Sequence, residues 1–160
     1  MNCHSFCMQN PDRMLFHQRA LHAGTYILTD GDIEKLDTKT ERTISALVYP
    51  AWHPSGRYVA FSTNDTKQDF HFSDANRVEV FDNFSIWHKD ADLRLLDMLT
   101  GKTDSLLQVN SNDVESYHSW SSNSRWFVFS SRRDDGLYTR PYICYLGANG
   151  VPGKPFLLPQ

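Results

Sequence analysis

Tyr49-Pro50-Ala51-Trp52-His53-Pro54-Ser55-Gly56-Arg57-Tyr58-Val59-Ala60-Phe61-Ser62-Thr63-Asn64 reads as strand, tight turn, strand. Tyr49 to Trp52 is a short aromatic strand. In His53-Pro54-Ser55-Gly56 the proline presets φ, the serine bonds the local backbone and the glycine allows φ above zero, which is β-turn chemistry. From Arg57 to Thr63 the residues alternate, with Tyr58 and Ala60 on one face and Val59 and Phe61 on the other. Both faces are apolar, so the strand is expected to be buried on both sides.

The unit returns without a gap at Tyr117-His118-Ser119-Trp120-Ser121-Ser122-Asn123-Ser124-Arg125-Trp126-Phe127-Val128-Phe129-Ser130-Ser131-Arg132. Tyr, Trp, Arg, Phe and Ser are identical at five of the 16 positions, and the turn stays small and polar. A fainter copy opens the chain: Cys3-His4-Ser5-Phe6 matches Tyr117-His118-Ser119-Trp120, with Phe6 in the tryptophan place. A turn two residues longer would then bring Arg13 into line with Arg57. Phe6 to Trp52 is 52 − 6 = 46 residues, and Trp52 to Trp120 is 120 − 52 = 68. Repeated sheet units such as propeller blades run to about 40–50 residues. The longer interval therefore implies an insertion, placed at residues 65–90.

The pattern Tyr49-Pro50-Ala51-Trp52-His53-Pro54-Ser55-Gly56-Arg57-Tyr58-Val59-Ala60-Phe61-Ser62 resembles the blade motif of TolB-type β-propellers, the WD-like repeats of bacterial envelope proteins. His53 and Ser55 replace the usual Ser and Asp, and Tyr117 to Ser131 follows the motif loosely because its Pro and Gly are gone. The resemblance implies an all-β fold, a partial β-propeller of antiparallel four-stranded blades. It also implies a non-catalytic module that docks a protein or peptide in the periplasm or cell envelope. The alternative is the propeller part of a larger prolyl-oligopeptidase-like peptidase whose catalytic domain lies elsewhere.

The expected organisation is one propeller-like unit over 1–160: a degenerate first blade at 1–45, a second at 46–109 carrying the insertion, and a third at 110–160. Asp30-Gly31 is a hairpin signal between Gly24–Thr29 and the strand from Ile33. Asp92–Asp97 and Thr103–Leu107 complete the second unit. Arg140–Leu146 and Lys154–Leu158 complete the third. Closed propellers have four or more blades, so three imply a piece of a larger ring, an open non-propeller sheet stack, or closure by self-association through open sheet edges.

Composition bounds the rest. Aromatic residues make up 13% and hydrophobic residues 40%, which argues for a folded core. The net charge of −3 gives no basic footprint for nucleic acid. The apolar runs are too short for a membrane span, and no signal-peptide pattern opens the chain. Three cysteines make no disulfide framework. Cys3-His4 is only the tail of a haem-attachment motif, so no cofactor is expected.

No nucleophile elbow, phosphate loop or zinc-protease helix motif occurs. The seven histidines lack ligand spacing, so no metal is expected and each reads as a hydrogen-bonding strand or loop residue. Partner binding is assigned to the loops joining second and third strands, with Asp65, Phe70, His71, Arg132, Arg133 and Asp134 as the contact residues. Tyr49, Trp52, Phe61, Tyr117, Trp120 and Phe129 are read as core. Arg57 and Arg125 are read as structural, bonding carbonyls of a neighbouring blade.

Overall fold

A computed structural model describes residues 2–18, 22, 24–36, 47–63 and 89–159. Three antiparallel four-stranded sheets account for its regular structure. The first runs β1 (Asn2–Phe6), β2 (Arg13–Gln18), β3 (Gly24–Thr29), β4 (Asp32–Leu36). The second runs β5 (Val48–Trp52), β6 (Tyr58–Thr63), β7 (Asp92–Asp97), β8 (Thr103–Ser105). The third runs β9 (Glu115–Trp120), β10 (Trp126–Ser131), β11 (Arg140–Tyr145), β12 (Phe156–Leu157). Each sheet is a meander, with strands adjacent in sequence adjacent in space. Among the described residues the one helical piece is a 3₁₀ turn, Cys7–Gln9, and no helix is long and apolar enough to cross a membrane. The all-β reading and the four-stranded units are therefore what the fold shows. Asp65, Phe70, His71 and most of the expected insertion lie outside the described residues.

The turns follow local chemistry. Asp30 and Gly31 both take positive φ, 51° and 94°, as a two-residue hairpin loop demands. Gly56 sits at φ 70° and donates to the His53 carbonyl at 2.8 Å. In the third sheet Ser124 takes the same role at φ 62° without being glycine. There Asn123 Oδ1 accepts from Ser121 Oγ at 2.7 Å and from the Arg125 amide at 3.1 Å, which holds the strained turn closed.

The sheets stack face to face. Leu15 and Ile27 of the first sheet share a core with Trp52, Val59, Phe61 and Leu96 of the second. Ala60, Leu93 and Leu95, on the other face of the second sheet, share one with Phe127, Phe129, Tyr142 and Cys144 of the third. The central strand β6 is thus buried on both sides, as its two apolar faces require. Phe61, Phe127 and Phe129 are fully buried, and burial of each such side chain stabilises by about 1.5–3 kcal/mol.

One bond recurs between sheets. Trp52 Nε1–H donates to the Ser5 carbonyl at 3.0 Å, and Trp120 Nε1–H to the Ala51 carbonyl at 3.0 Å. Ser5 and Ala51 each precede the residue in the tryptophan place, so the two indoles occupy equivalent surroundings.

Three expectations need correction. Phe6 pairs with Met14 as Trp52 pairs with Val59 and Trp120 with Phe127. Arg13 therefore stands in the place of Tyr58, one residue away from Arg57. The cause is the 3₁₀ turn, whose Met8 and Gln9 adopt φ of 52° and 61° and lengthen the connection. Second, Arg57 and Arg125 bond within their own sheets, to Asp97 at 2.9 Å and to the Tyr145 hydroxyl at 2.8 Å. The arginine that crosses between sheets is Arg13, which donates to the Gly56 carbonyl at 3.3 Å and lies 4.9 Å from the Trp52 ring centroid. Third, Tyr117 is 55% exposed and Tyr49 only half-buried, so neither is a core residue. The reason lies in the inner strands.

Candidate functional site

The innermost strand of each sheet is irregular at one place. Pairing shifts between Asn2 and His4 in β1, between Val48 and Ala51 in β5, and opposite Val128 to Ser130 in β9. These are β-bulges, which re-aim a side chain and twist the strand. Tyr49 and Tyr117, identical in the sequence repeat, take φ of 52° and 50° there. A bulky residue at positive φ is an outlier, and holding it costs of order 1–3 kcal/mol. The surrounding sheets sustain that conformation twice, at equivalent positions.

The bulges turn both phenol rings out of the core and toward each other. Their centroids lie 5.5 Å apart at an interplanar angle of 32°. They border an open cleft of about 330 Å³ lined by His4, Tyr49, Pro50, Ala51, Tyr117 and His118. Proline is admissible at position 50 because an inner strand is a sheet edge, where a ladder donor is dispensable. His4 sits at the mouth in edge contact with Phe6, 5.8 Å between centroids. His118 forms part of the floor. It is buried, and its Nε2–H donates to the Ala60 carbonyl of the adjacent sheet at 2.8 Å. Burial drives its pKa down to about 4, so the ring is neutral at pH 7.

The strand that carries Tyr117 is anchored at its start. The Glu115 carboxylate is fully buried and accepts from Ser111 Oγ at 2.6 Å, Ser131 Oγ at 2.8 Å and Arg133 Nη2 at 3.1 Å. Arg133 also donates to the Val109 carbonyl, and its guanidinium lies 4.5 Å from the Tyr142 ring centroid and 5.3 Å from that of Phe129. Its side chain is only 17% exposed.

The other loop residues named from sequence lie further out. Arg132 Nε–H donates to Thr139 Oγ1 at 3.3 Å. Asp134 accepts from the Tyr142 hydroxyl at 2.6 Å and from Arg140 Nη1 at 2.8 Å. The Tyr142 and Arg140 donors hold Asp134 below the usual carboxylate range. Burial and the Asp134 contact push Tyr142 up to about 12. The loop is thus a cross-linked polar knot, and Arg133 ties it to the base of β9, two residues from Tyr117.

The described lining of the cleft holds two phenols, two imidazoles, a proline and an alanine. It contains no carboxylate, amine or thiol. Among the described residues no group of three or more His, Cys, Asp or Glu is placed to hold a metal. Buried Cys144 has its thiol pushed up to about 11 by burial, which keeps it protonated at neutral pH. Rings that stack and donate hydrogen bonds suit recognition. Sequence reasoning took Tyr49 and Tyr117 for core and His4 and His118 for ordinary strand residues. The available signal was the recurrence of tyrosine three residues before tryptophan in both copies, followed in one of them by Pro50, which cannot donate to a ladder. The bulge itself has no sequence signature, because tyrosine at positive φ contradicts its intrinsic preference.

No protein-family model matches this chain, and no curated protein does. Among solved structures it is similar to the Niastella koreensis GH74 enzyme, with 10% identity and a TM-score of 0.53 over 91% of this chain and 20% of that one. It is also similar to the β-propeller domain of the Trilobed protease from Pyrococcus furiosus, described as having an open velcro topology, with 14% identity and a TM-score of 0.45 over 92% of this chain and 39% of that one. The chain spans well under half of either. With its three stacked four-stranded sheets, it has the all-β fold of a partial propeller, each sheet a blade.

Proposed function

We propose that this chain is a non-catalytic, propeller-type binding module that docks a protein or peptide segment in the cleft along its inner strands. What carries the reading is the pair of tyrosines held at strained bulges on adjacent blades, with rings 5.5 Å apart. Strain kept at two equivalent positions points to a use for the rings. Aromatic side chains with a polar tip are the residues enriched at protein interfaces. Inner strands are also sheet edges, whose backbone groups can pair with an extended segment. The TolB-like motif at Tyr49–Asn64 supports the finer reading of a bacterial cell-envelope module acting in the periplasm. On this reading the module uses no metal, haem or nucleic acid, and its anchored Arg133 positions β9 while Arg132 and Asp134 form a charged rim.

A displayed library of random peptides selected on the purified protein tests the reading. The enriched peptides should lose at least tenfold in affinity with Tyr49→Ser or Tyr117→Ser. They should keep it with Ile33→Ser, a change at an exposed position on the outer strand of the first blade. Peptides indifferent to both tyrosines would move the site elsewhere.

A further inference from the structure

We propose that the outward face of the third blade seats a further antiparallel blade whose inner strand carries a tryptophan, with that indole N–H bonded to the carbonyl of Ser119. The inference rests on the two blade interfaces already described and is independent of the cleft. At each interface the following blade brings an indole onto the carbonyl that precedes the tryptophan place of the blade before it: Trp52 onto Ser5, Trp120 onto Ala51. Ser119 precedes Trp120 and pairs with Val128 as Ala51 pairs with Ala60. It therefore holds the third acceptor position, at an exposed residue.

The rest of the face matches. On the second blade Tyr58, Ala60, Leu93 and Leu95 receive the third. The register puts Trp126 and Val128 in the places of Tyr58 and Ala60. Ile143, opposite Val128, takes the place of Leu95, opposite Ala60. Trp126, Val128 and Ile143 are only half-buried, and Tyr145 and Phe156 beside them are 36% and 52% exposed. A ring cluster, Trp126 against Tyr145 at 5.1 Å and Phe156 at 6.3 Å, already orders the surface. A second copy of this chain is the poorer occupant. Its leading blade would present Phe6 in the tryptophan place, and Phe6 has no N–H to offer the Ser119 carbonyl.

The test extends the whole chain at Gln160 with a duplicate of residues 110–160, the unit that contains Trp120, and compares it with a duplicate bearing Trp→Phe at that tryptophan. Amide exchange at Val128 and Ile143 and acrylamide quenching of Trp126 are read in the unextended chain and in both extensions. The expected result is at least tenfold slower exchange and weaker quenching with the duplicate. About fivefold of that protection should be lost with the phenylalanine version, the factor one net hydrogen bond contributes. Val128→Lys in the extended chain should abolish the gain while near-ultraviolet circular dichroism keeps the parent blades native. An appended unit that stays unprotected, or protection indifferent to the indole, overturns the proposal. So does concentration-dependent protection in the unextended chain, which would make a second copy the occupant.

Discussion

Acidification should weaken this fold in a window set by one buried imidazole. His118 is neutral in the folded chain, with a pKa near 4 against an ordinary 6.5, because burial disfavours its charged form. In the unfolded chain the ring protonates at the ordinary value. The unfolded state therefore binds more protons between these two values, and stability falls as the pH drops through them. The contribution is fully present above about pH 6.5, and at 1.36 kcal/mol per pKa unit the complete loss is about 3 kcal/mol. By about pH 4.5 most of it, roughly 2–3 kcal/mol, is already gone. Asp97, Asp134 and Asp135 are held below their ordinary 3.8, so their losses begin at lower pH. The assay is urea unfolding between pH 8 and 4.5 for the wild type and for His118→Gln, whose amide keeps a donor toward the Ala60 carbonyl and does not titrate. Histidines common to both proteins cancel in the difference. The wild type should lose about 2–3 kcal/mol relative to the variant over that range, a midpoint displacement of about 1 M. A difference flat to within about 0.5 kcal/mol would refute the assignment of His118 as buried and neutral.

Trp52→Phe and Trp120→Phe should each cost about 1 kcal/mol or somewhat more in urea titrations, because each deletes the same indole bond to the preceding blade; values differing several-fold would deny that the two interfaces are equivalent. Arg133→Leu leaves the fully buried Glu115 carboxylate without its cation and should destabilise by about 3–5 kcal/mol, with Glu115→Gln in the same chain recovering part of the loss; a neutral Arg133→Leu would show the loop to be free of β9. Phe129→Ala empties a fully buried site between the second and third blades and should cost about 3–5 kcal/mol by calorimetry, whereas Ile33→Ser, 63% exposed, should change little.

Blade construction was legible because it rests on local rules. Gly56 and the Asp30-Gly31 pair mark turns by φ alone, and the double apolar alternation around Ala60 marks a strand with neighbours on both faces. Trp52 and Trp120 could be matched because an indole wedged between sheets needs a fixed acceptor, and that acceptor recurs. The first blade was legible only to within one residue. Its connection adopts left-handed backbone at Met8 and Gln9, residues that carry no turn signature, so the sequence pattern aligns Arg13 with Arg57 rather than with Tyr58. The cleft was hidden for a related reason. Alternation predicts Tyr49 and Tyr117 inward, and a bulge on an edge strand reverses that prediction without changing any residue type. Arg133 illustrates a third limit: a charged pair such as Arg132-Arg133 looks alike throughout in sequence. The half that meets Glu115 is decided by strands sixteen to eighteen residues apart in the chain.

The left-handed backbone at Tyr49 and Tyr117 sets a direction for laboratory evolution. Glycine adopts that geometry freely, so a library screened purely for heat tolerance should enrich Gly at both positions while discarding the rings. A library screened for capture of a partner should hold Tyr there against the same thermal gain. The two campaigns, run from one parent gene, would diverge at these two codons first.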